Sequence, residues 1–404
     1  MSTQNKPLSR AKLGLIIMCY IAFIALGMPD GLGGIAWPSV RELFGLRLDS
    51  IAALMVVGTS GYMVSSFFSG KIIAKVGVGG TLIASCALTG MALLGYTLVP
   101  AWWMYVSLAF FAGLGAGAID AGLNTYVASH FGEGLMQWLH ASYGVGVTIG
   151  PILMTVGLNV FRTWRFGYQV VAAAQVLLAL TFVVTIKMWQ DHGSEPDVHA
   201  PEAERKLTDY KTPYKETLAR PSTWMNMLLF FLYTGAEFSF GTWTYSLLTL
   251  SRGVPVSVAA LWSGSYWATF TIGRVLAGLL TRRFGNENML RGGLLLAFAG
   301  SLLLWWNPFY SSSIIAVALI GFAVAPIFPA MVSGTSARVG DKHAANVIGM
   351  QITAAGFGGM VVPALAGWIG QNIKLEGIPV YLAGVFLVLV VVYFGMPRPK
   401  VLAA

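Results

Sequence analysis

The chain of 404 residues is 56% hydrophobic and only 10% charged, with a mean hydropathy of +0.71. A soluble domain carries about 25% charged residues, so this composition excludes a soluble globular protein. The apolar runs also exceed the roughly ten-residue strands of a membrane β-barrel. The net charge of +9 fits the Lys and Arg excess of cytoplasmic loops rather than a nucleic-acid surface.

The predicted elements are apolar helices of about 20 residues each. The first six fall at 13–37, 50–73, 79–99, 102–128, 138–160 and 166–189. Lys6, Arg10 and Lys12 precede the first, which continues past a signal-peptide core and contains Pro29 and Asp30, so it reads as an uncleaved first pass. Residues 190–222 are polar, including Asp-His-Gly-Ser-Glu-Pro-Asp at 191–197, and read as a linker with a short surface helix near 203–218. Six more passes fall at 223–250, 256–280, 289–306, 311–334, 345–371 and 378–396. The plan is an all-α membrane protein of twelve passes: a half at 1–189, a cytoplasmic linker at 190–222 and a half at 223–404.

Lys and Arg set the orientation. On one side the loops hold Arg41, Arg47, Arg162, Arg165, Arg252 and Lys374. Every other Lys and Arg except Arg274 falls on the opposite side, a roughly threefold bias that puts both termini in the cytoplasm. The halves also resemble each other. One interval of 208 residues separates Gly70 from Gly278, Gly77 from Gly285, Gly27 from Gly235 and Gly113 from Gly321, which indicates duplication.

Pass 4 carries the most informative stretch, Gly113 to Tyr126. At 100° per residue, Gly113, Gly117, Asp120 and Asn124 form one stripe. An acid at membrane depth costs about 2.5–3.5 kcal/mol on insertion scales and usually marks a substrate, ion or proton path. In the second half the counterparts of Asp120 and Asn124 are Phe328 and Val332, so the polar site is asymmetric.

Other polar residues in the passes have two readings each. Asp30, in Gly27-Met-Pro-Asp-Gly31, is a proton or hydroxyl site, or a plug at a loosened helix. Glu237 in pass 7 carries a proton, or bonds a backbone carbonyl. Arg274 in pass 8, with Trp267 on its face, binds a carboxylate or makes a structural ion pair. His140, opening pass 5, relays protons or is a hydrogen-bonded fixture. Tyr143, Trp243, Trp267, Asn124 and Gln351 would supply the mixture of rings and amides that a sugar needs. Trp102-Trp103 and Trp305-Trp306 read as interfacial anchors. Cys19 and Cys86 read as core residues without metal spacing. There is no Gly-x4-Gly-Lys-Ser/Thr loop, no His or Cys metal cluster and no recognisable nucleophile–base pair. The chain therefore reads as a non-enzyme without cofactor or metal.

Two six-pass halves, with Gly70-Lys-Ile-Ile-Ala-Lys-Val-Gly77 between passes 2 and 3, resemble the major facilitator superfamily over essentially the whole length. Ala74 stands where that family usually has Asp, and the second copy, Gly278 to Gly285, also lacks the acid. The resemblance implies that the usual charge latch between helix ends is weakened. Asp120, Asn124 and Tyr126-Val127, the stretch Phe231 to Trp243, and Leu139 to Gly144 are similar to the fucose and glucose permease-like, proton-coupled sugar transporters. Ala141 and Gly144 stand where that group tends to have Gln and Asn.

The resemblance implies an inner-membrane symporter, commonly a monomer, with a sugar-like solute and protons as partners and no nucleic acid. Asp120 would be the coupling acid, with Asp30 or Glu237 as its partner. Gly146-x-x-x-Gly150-Pro151 partly resembles the pass 5 signature of superfamily antiporters, so a proton-driven drug exporter is the runner-up. An organic-anion transporter using Arg274 is a third reading.

Overall fold

The computed structural model describes residues 10–47, 50–131, 133–189 and 206–396, and all regular structure among them is helical. The polar run at 191–197 and the first residues of the expected surface helix lie outside the described residues. Pass 1 comprises α1 (Arg10–Gly27), a 3-10 turn (Pro29–Gly31) and α2 (Leu32–Phe44). Proline lacks the N–H that an α-helix needs there, and the expected loosening falls on that turn.

Pass 2 is α3 (Ile51–Phe67) together with the start of α4 (Ser69–Tyr96), up to the kink at Gly77 where two helices meet, and pass 3 is the rest of α4. Passes 4 to 6 are α5 (Trp102–His130), α6 (Glu133–Asn159) and α7 (Arg165–Val184), followed by the short α8 (Ile186–Trp189). The linker contributes α9 (Tyr214–Leu218). Passes 7 to 9 are α10 (Pro221–Ser246), α11 (Val256–Phe284) and α12 (Asn286–Trp306). Pass 10 is broken into α13 (Ser312–Val324), α14 (Ile327–Ser333) and α15 (Thr335–Val339). Passes 11 and 12 are α16 (Asp341–Asn372) and α17 (Gly377–Gly395). Among the described residues, nine helical stretches are long and apolar enough by themselves to cross a membrane. α10 and α11, which carry Glu237 and Arg274, are not among them; their polar content is what a cavity-lining helix needs.

By contacts the chain forms two compact units. The first is Met1–Ser65, Ile72–Leu123 and Ser142–Arg205; the second is Ser66–Lys71, Asn124–Ala141 and Lys206–Ala404. Each is built on close helix crossings at glycine. In the first unit Gly113 of α5 lies against the Gly58 carbonyl of α3, and Gly146 of α6 against the Ile24 carbonyl of α1. In the second, Gly321 of α13 lies against the Tyr266 carbonyl of α11, and Gly358 of α16 against the Phe231 carbonyl of α10. A methyl group at any of the four would overlap backbone. Small residues are how membrane helices approach when lipid is as apolar as leucine.

The interval from Gly58 to Tyr266 is again 208 residues, so the repeat extends from residue types to contacts. It extends to backbone geometry too: Gly77 and Gly285 have φ of 74° and 75°, a left-handed conformation that a Cβ disfavours.

The aromatic belt is only partly as expected. Trp103, Trp305 and Trp306 are exposed, but Trp102 turns inward, with its ring 5.8 Å from Trp37 and stacked on Tyr105 at 5.7 Å. Neighbours on a helix point about 100° apart, so Trp102 can face inward while Trp103 faces out; Trp305 and Trp306 are both exposed.

In the second unit Arg252, which sequence places in an outer loop, is a buried tie between passes. Its guanidinium donates to both carboxylate oxygens of Glu376 (2.9 and 2.8 Å), to Ser313 Oγ (2.9 Å) and to the Leu304 carbonyl (2.8 Å). Replacing Arg252 with Ala leaves these acceptors unpaired and should cost about 2–3 kcal/mol of stability, read as a lower midpoint of thermal unfolding. Burial pushes the Glu376 carboxyl up, but the hydrogen bonds and charge of Arg252 outweigh it and hold the group below its ordinary 4.5. This contribution is present above pH 4.5 and is lost as pH falls through the depressed native value. The gap between wild type and R252A should therefore narrow in acid.

Candidate functional site

In the first unit two acids meet two tyrosines. The Tyr143 hydroxyl of α6 donates to Asp30 Oδ2 on the 3-10 turn, and the Tyr62 hydroxyl of α3 donates to Asp120 Oδ2 on α5. Both pairs lie in the first unit. Glycine crossings place them. Gly27 and Gly31 seat the loosened turn against the Tyr143 and Val147 backbone and the Pro151 ring. Gly61 and Gly113 bring α3 against α5, one residue from Tyr62 and two turns from Asp120. Asp120 is 9% exposed, whereas Asp30 stands at an exposed position on the turn. Gly146 is taken up in packing α6 on α1, and Gly150 in packing it on Met28 and Gly31 at the turn.

In the second unit His140 Nε2 and Asn124 Oδ1 are bonded at 3.0 Å, both side chains buried. The His140 ring lies 5.0 Å from that of Phe328. Arg274 Nη1 donates to the His140 carbonyl at 3.1 Å, and its guanidinium lies 4.2 Å over the Phe270 ring. Arg274 Nε is buried without a hydrogen-bond partner.

Glu237 is buried on α10. The Tyr266 hydroxyl donates to the Glu237 carbonyl at 3.0 Å. The break in pass 10 between α13 and α14 frees backbone carbonyls, which must find donors in a dry interior. The Tyr233 hydroxyl takes that of Val324 (2.8 Å), and Gln137 Nε2 takes that of Pro326 (3.1 Å).

Three expected residues do not join these groups. Both ends of the Gln351 amide bond protein: Nε2 donates to Asn226 Oδ1 (3.1 Å), and Oε1 accepts from Thr335 Oγ1 (3.0 Å). Arg338 Nε donates to the same Asn226 oxygen at 2.8 Å, which makes a buried network tying α10, α15 and α16. Trp243 Nε1 donates to the Pro363 carbonyl at 2.9 Å, and its ring lies against Gly367. Trp267 is 45% exposed, its ring beside Tyr266 and Phe270.

Tyr62, Asn226 and Arg338 are the residues that sequence reasoning missed. For Tyr62 a signal existed, since it follows Gly58 and Gly61 on a helix that must pack closely. No group of three or more His, Cys, Asp or Glu that could hold a metal occurs among the described residues.

A paired-acid interior in a bundle of duplicated helices suggests kinship with transporters, and comparison decides it. The profile of the Major Facilitator Superfamily matches residues 18–313 and 245–403. The chain belongs to the major facilitator superfamily. The glucose/mannose transporter GlcP of Bacillus subtilis is 22% identical over 390 residues, covering 95% of this chain and 94% of that one. A probable sulfoacetate transporter, SauU of Cupriavidus necator, is 24% identical over 392 residues, covering 92% and 90%. The crystal structure of the superfamily transporter FucP in the outward conformation has the same fold, with a TM-score of 0.77 at 15% identity over 96% of this chain and 100% of that one.

The expected likeness to the fucose and glucose permease-like group is thus present in fold and in relatives. The fold is the twelve-helix major facilitator fold with two pseudo-symmetric six-helix halves. The protein is a multi-pass integral membrane transporter of small solutes, not an enzyme.

Proposed function

We propose that the protein takes up a sugar or similar small polar solute together with protons, by alternating access. The observation that carries this reading is the Asp30–Tyr143 and Asp120–Tyr62 pairing. A carboxyl held by a tyrosine hydroxyl can exchange its proton while keeping a hydrogen bond, and the same hydroxyls can turn to a solute. Asp120 is the principal coupling acid, Asp30 its partner and Glu237 a candidate in the other half. Asn124, His140 and Tyr143 supply polar contacts to the solute. The relative named for glucose and mannose supports this class. The protein works as a monomer in the cytoplasmic membrane with both termini inside.

The test is a pH electrode in a lightly buffered suspension of de-energised cells expressing the protein. Addition of the transported hexose, pentose or polyol should raise the external pH. Solute entry without any alkalinisation would overturn proton coupling.

A second reading, transport of an organic anion, is favoured by the unpartnered Nε of buried Arg274 and by the relative named for sulfoacetate. A thermal-shift screen of sugars against carboxylates and sulfonates separates the two. Stabilisation by anions that is lost in Arg274→Lys, with none by sugars, would replace the first reading with the second.

A further inference from the structure

Within the second unit, the start of α4 and the ends of α3 and α5 lie against α16. Gly70 has no room for a side chain beside Asn346, and Gly349 has none beside the Ser66 carbonyl and Ser69 Oγ. Residues 66–71 and 124–141 come from the first six passes and α16 from the last six. Alternating access by rocking of the halves requires these surfaces to part when this end opens. The connection between passes 2 and 3 carries Ala74 and no acid.

The linker runs across this junction. Leu207 donates its N–H to Ser129 Oγ of α5 at 3.0 Å, and its side chain is buried with Val339, Ala344 and Val347, with Ala128 packed against them. Thr212 Oγ1 donates to the Lys342 carbonyl, and Asn346 Nδ2 donates to the Thr212 carbonyl at 2.9 Å. The Tyr214 hydroxyl donates to the Phe67 carbonyl at 2.8 Å and accepts from the Lys71 N–H at 3.4 Å, while its ring sits on Phe67 and Phe68. Thr217 Oγ1 meets His343 Nδ1 at 3.0 Å and Asn346 Nδ2 at 3.2 Å.

We propose that residues 206–217 are a conformational latch. The strap bonds the ends of passes 2 and 4 on one side and the start of pass 11 on the other, and it must release one side before this end of the transporter opens. Its grip consists of hydrogen bonds and one buried leucine. Each such bond contributes modestly, so the latch biases the equilibrium without freezing it. The inference rests on alternating access and not on the identity of the solute or on proton coupling.

The test uses the full-length protein in lipid nanodiscs and needs no substrate. Ala345→Cys, at a buried position of α16 beside Asn346, reports opening by its rate of reaction with fluorescein maleimide; native Cys19 and Cys86 are both buried. Tyr214→Phe combined with Thr217→Val removes strap bonds but keeps the rings and volumes. Loss of these four bonds should speed labelling by at least about thirtyfold, while Lys211→Ala, at an exposed position, leaves the rate unchanged. In a second arm, Lys71→Cys and Lys215→Cys, both exposed, are joined by a brief pulse of a short bis-maleimide. This cross-link should slow labelling below that of the unlinked protein. A folded Tyr214→Phe/Thr217→Val protein that labels at the wild-type rate, or a cross-link that leaves the rate unchanged, overturns the latch and leaves the transport reading untouched.

Discussion

Asp120→Asn should abolish pH-gradient-driven accumulation while leaving solute exchange intact. The substitution keeps size and an acceptor for the Tyr62 hydroxyl, but an amide neither gains nor loses a proton in the physiological pH range, so it cannot carry one across. For a neutral solute moving with one proton, each pH unit of gradient is worth about 1.4 kcal/mol, which is about tenfold accumulation. In the variant the accumulation ratio should fall to about one, since only the energetic link is cut. Counterflow, in which internal unlabelled solute drives entry of labelled solute, should persist because it requires only the binding site and the rocking motion. Wild-type accumulation in D120N would move the coupling role elsewhere, with Glu237 next in line.

The largest effect on stability is expected at the pass 2–pass 4 crossing. Gly113→Val would place two methyls and a Cβ into the Gly58 carbonyl and the Tyr62 backbone of α3. Overpacking commonly costs about 1–3 kcal/mol. Here the obstacle is backbone on a neighbouring helix rather than a side chain that can rotate, so the cost should lie at or above the top of that range. Detergent-purified Gly113→Val should unfold at clearly lower temperature than wild type or elute as aggregate. Gly33→Ala is the control, because nothing lies within 4 Å of a methyl there, and it should be neutral. Gly321→Val should behave like Gly113→Val, since Gly321 meets the Tyr266 carbonyl in the same way.

These expectations show what the chain discloses before it folds. The twelve passes and the duplication were legible, and Asp120 stands out as a candidate, because each rests on something costly in a membrane. Long apolar runs, glycines at one interval and carboxyls at depth all stand out against the background of lipid-compatible residues. Partners were harder to read. Tyr62 lies 58 residues from Asp120, and a tyrosine in an apolar run looks like packing until the crossing at Gly58 and Gly113 brings it across.

Gln351 and Trp243 were chosen for chemistry that suits a sugar, yet their polar atoms are taken up by Asn226, Thr335 and Pro363. Which way a side chain points inside a bundle depends on neighbours that periodicity does not name. Arg252 was counted as an outer-loop charge, and its role as a buried tie depends on Glu376, 124 residues away. The break in pass 10 at Pro326 does not show in the continuous apolar run that marks the pass. Proline is tolerated in a membrane helix only where donors such as Tyr233 and Gln137 re-satisfy the freed carbonyls.

The central claim, uptake of a polar solute driven by protons, is tested most directly in proteoliposomes containing only the purified protein and the solute found by thermal shift. Uptake is followed with the interior one pH unit more alkaline than the exterior, and again at equal pH. The account predicts accumulation above the external concentration, approaching about tenfold for one proton per neutral solute, only when the gradient is imposed. Equal uptake under both conditions, stopping when inside and outside concentrations match, would contradict it.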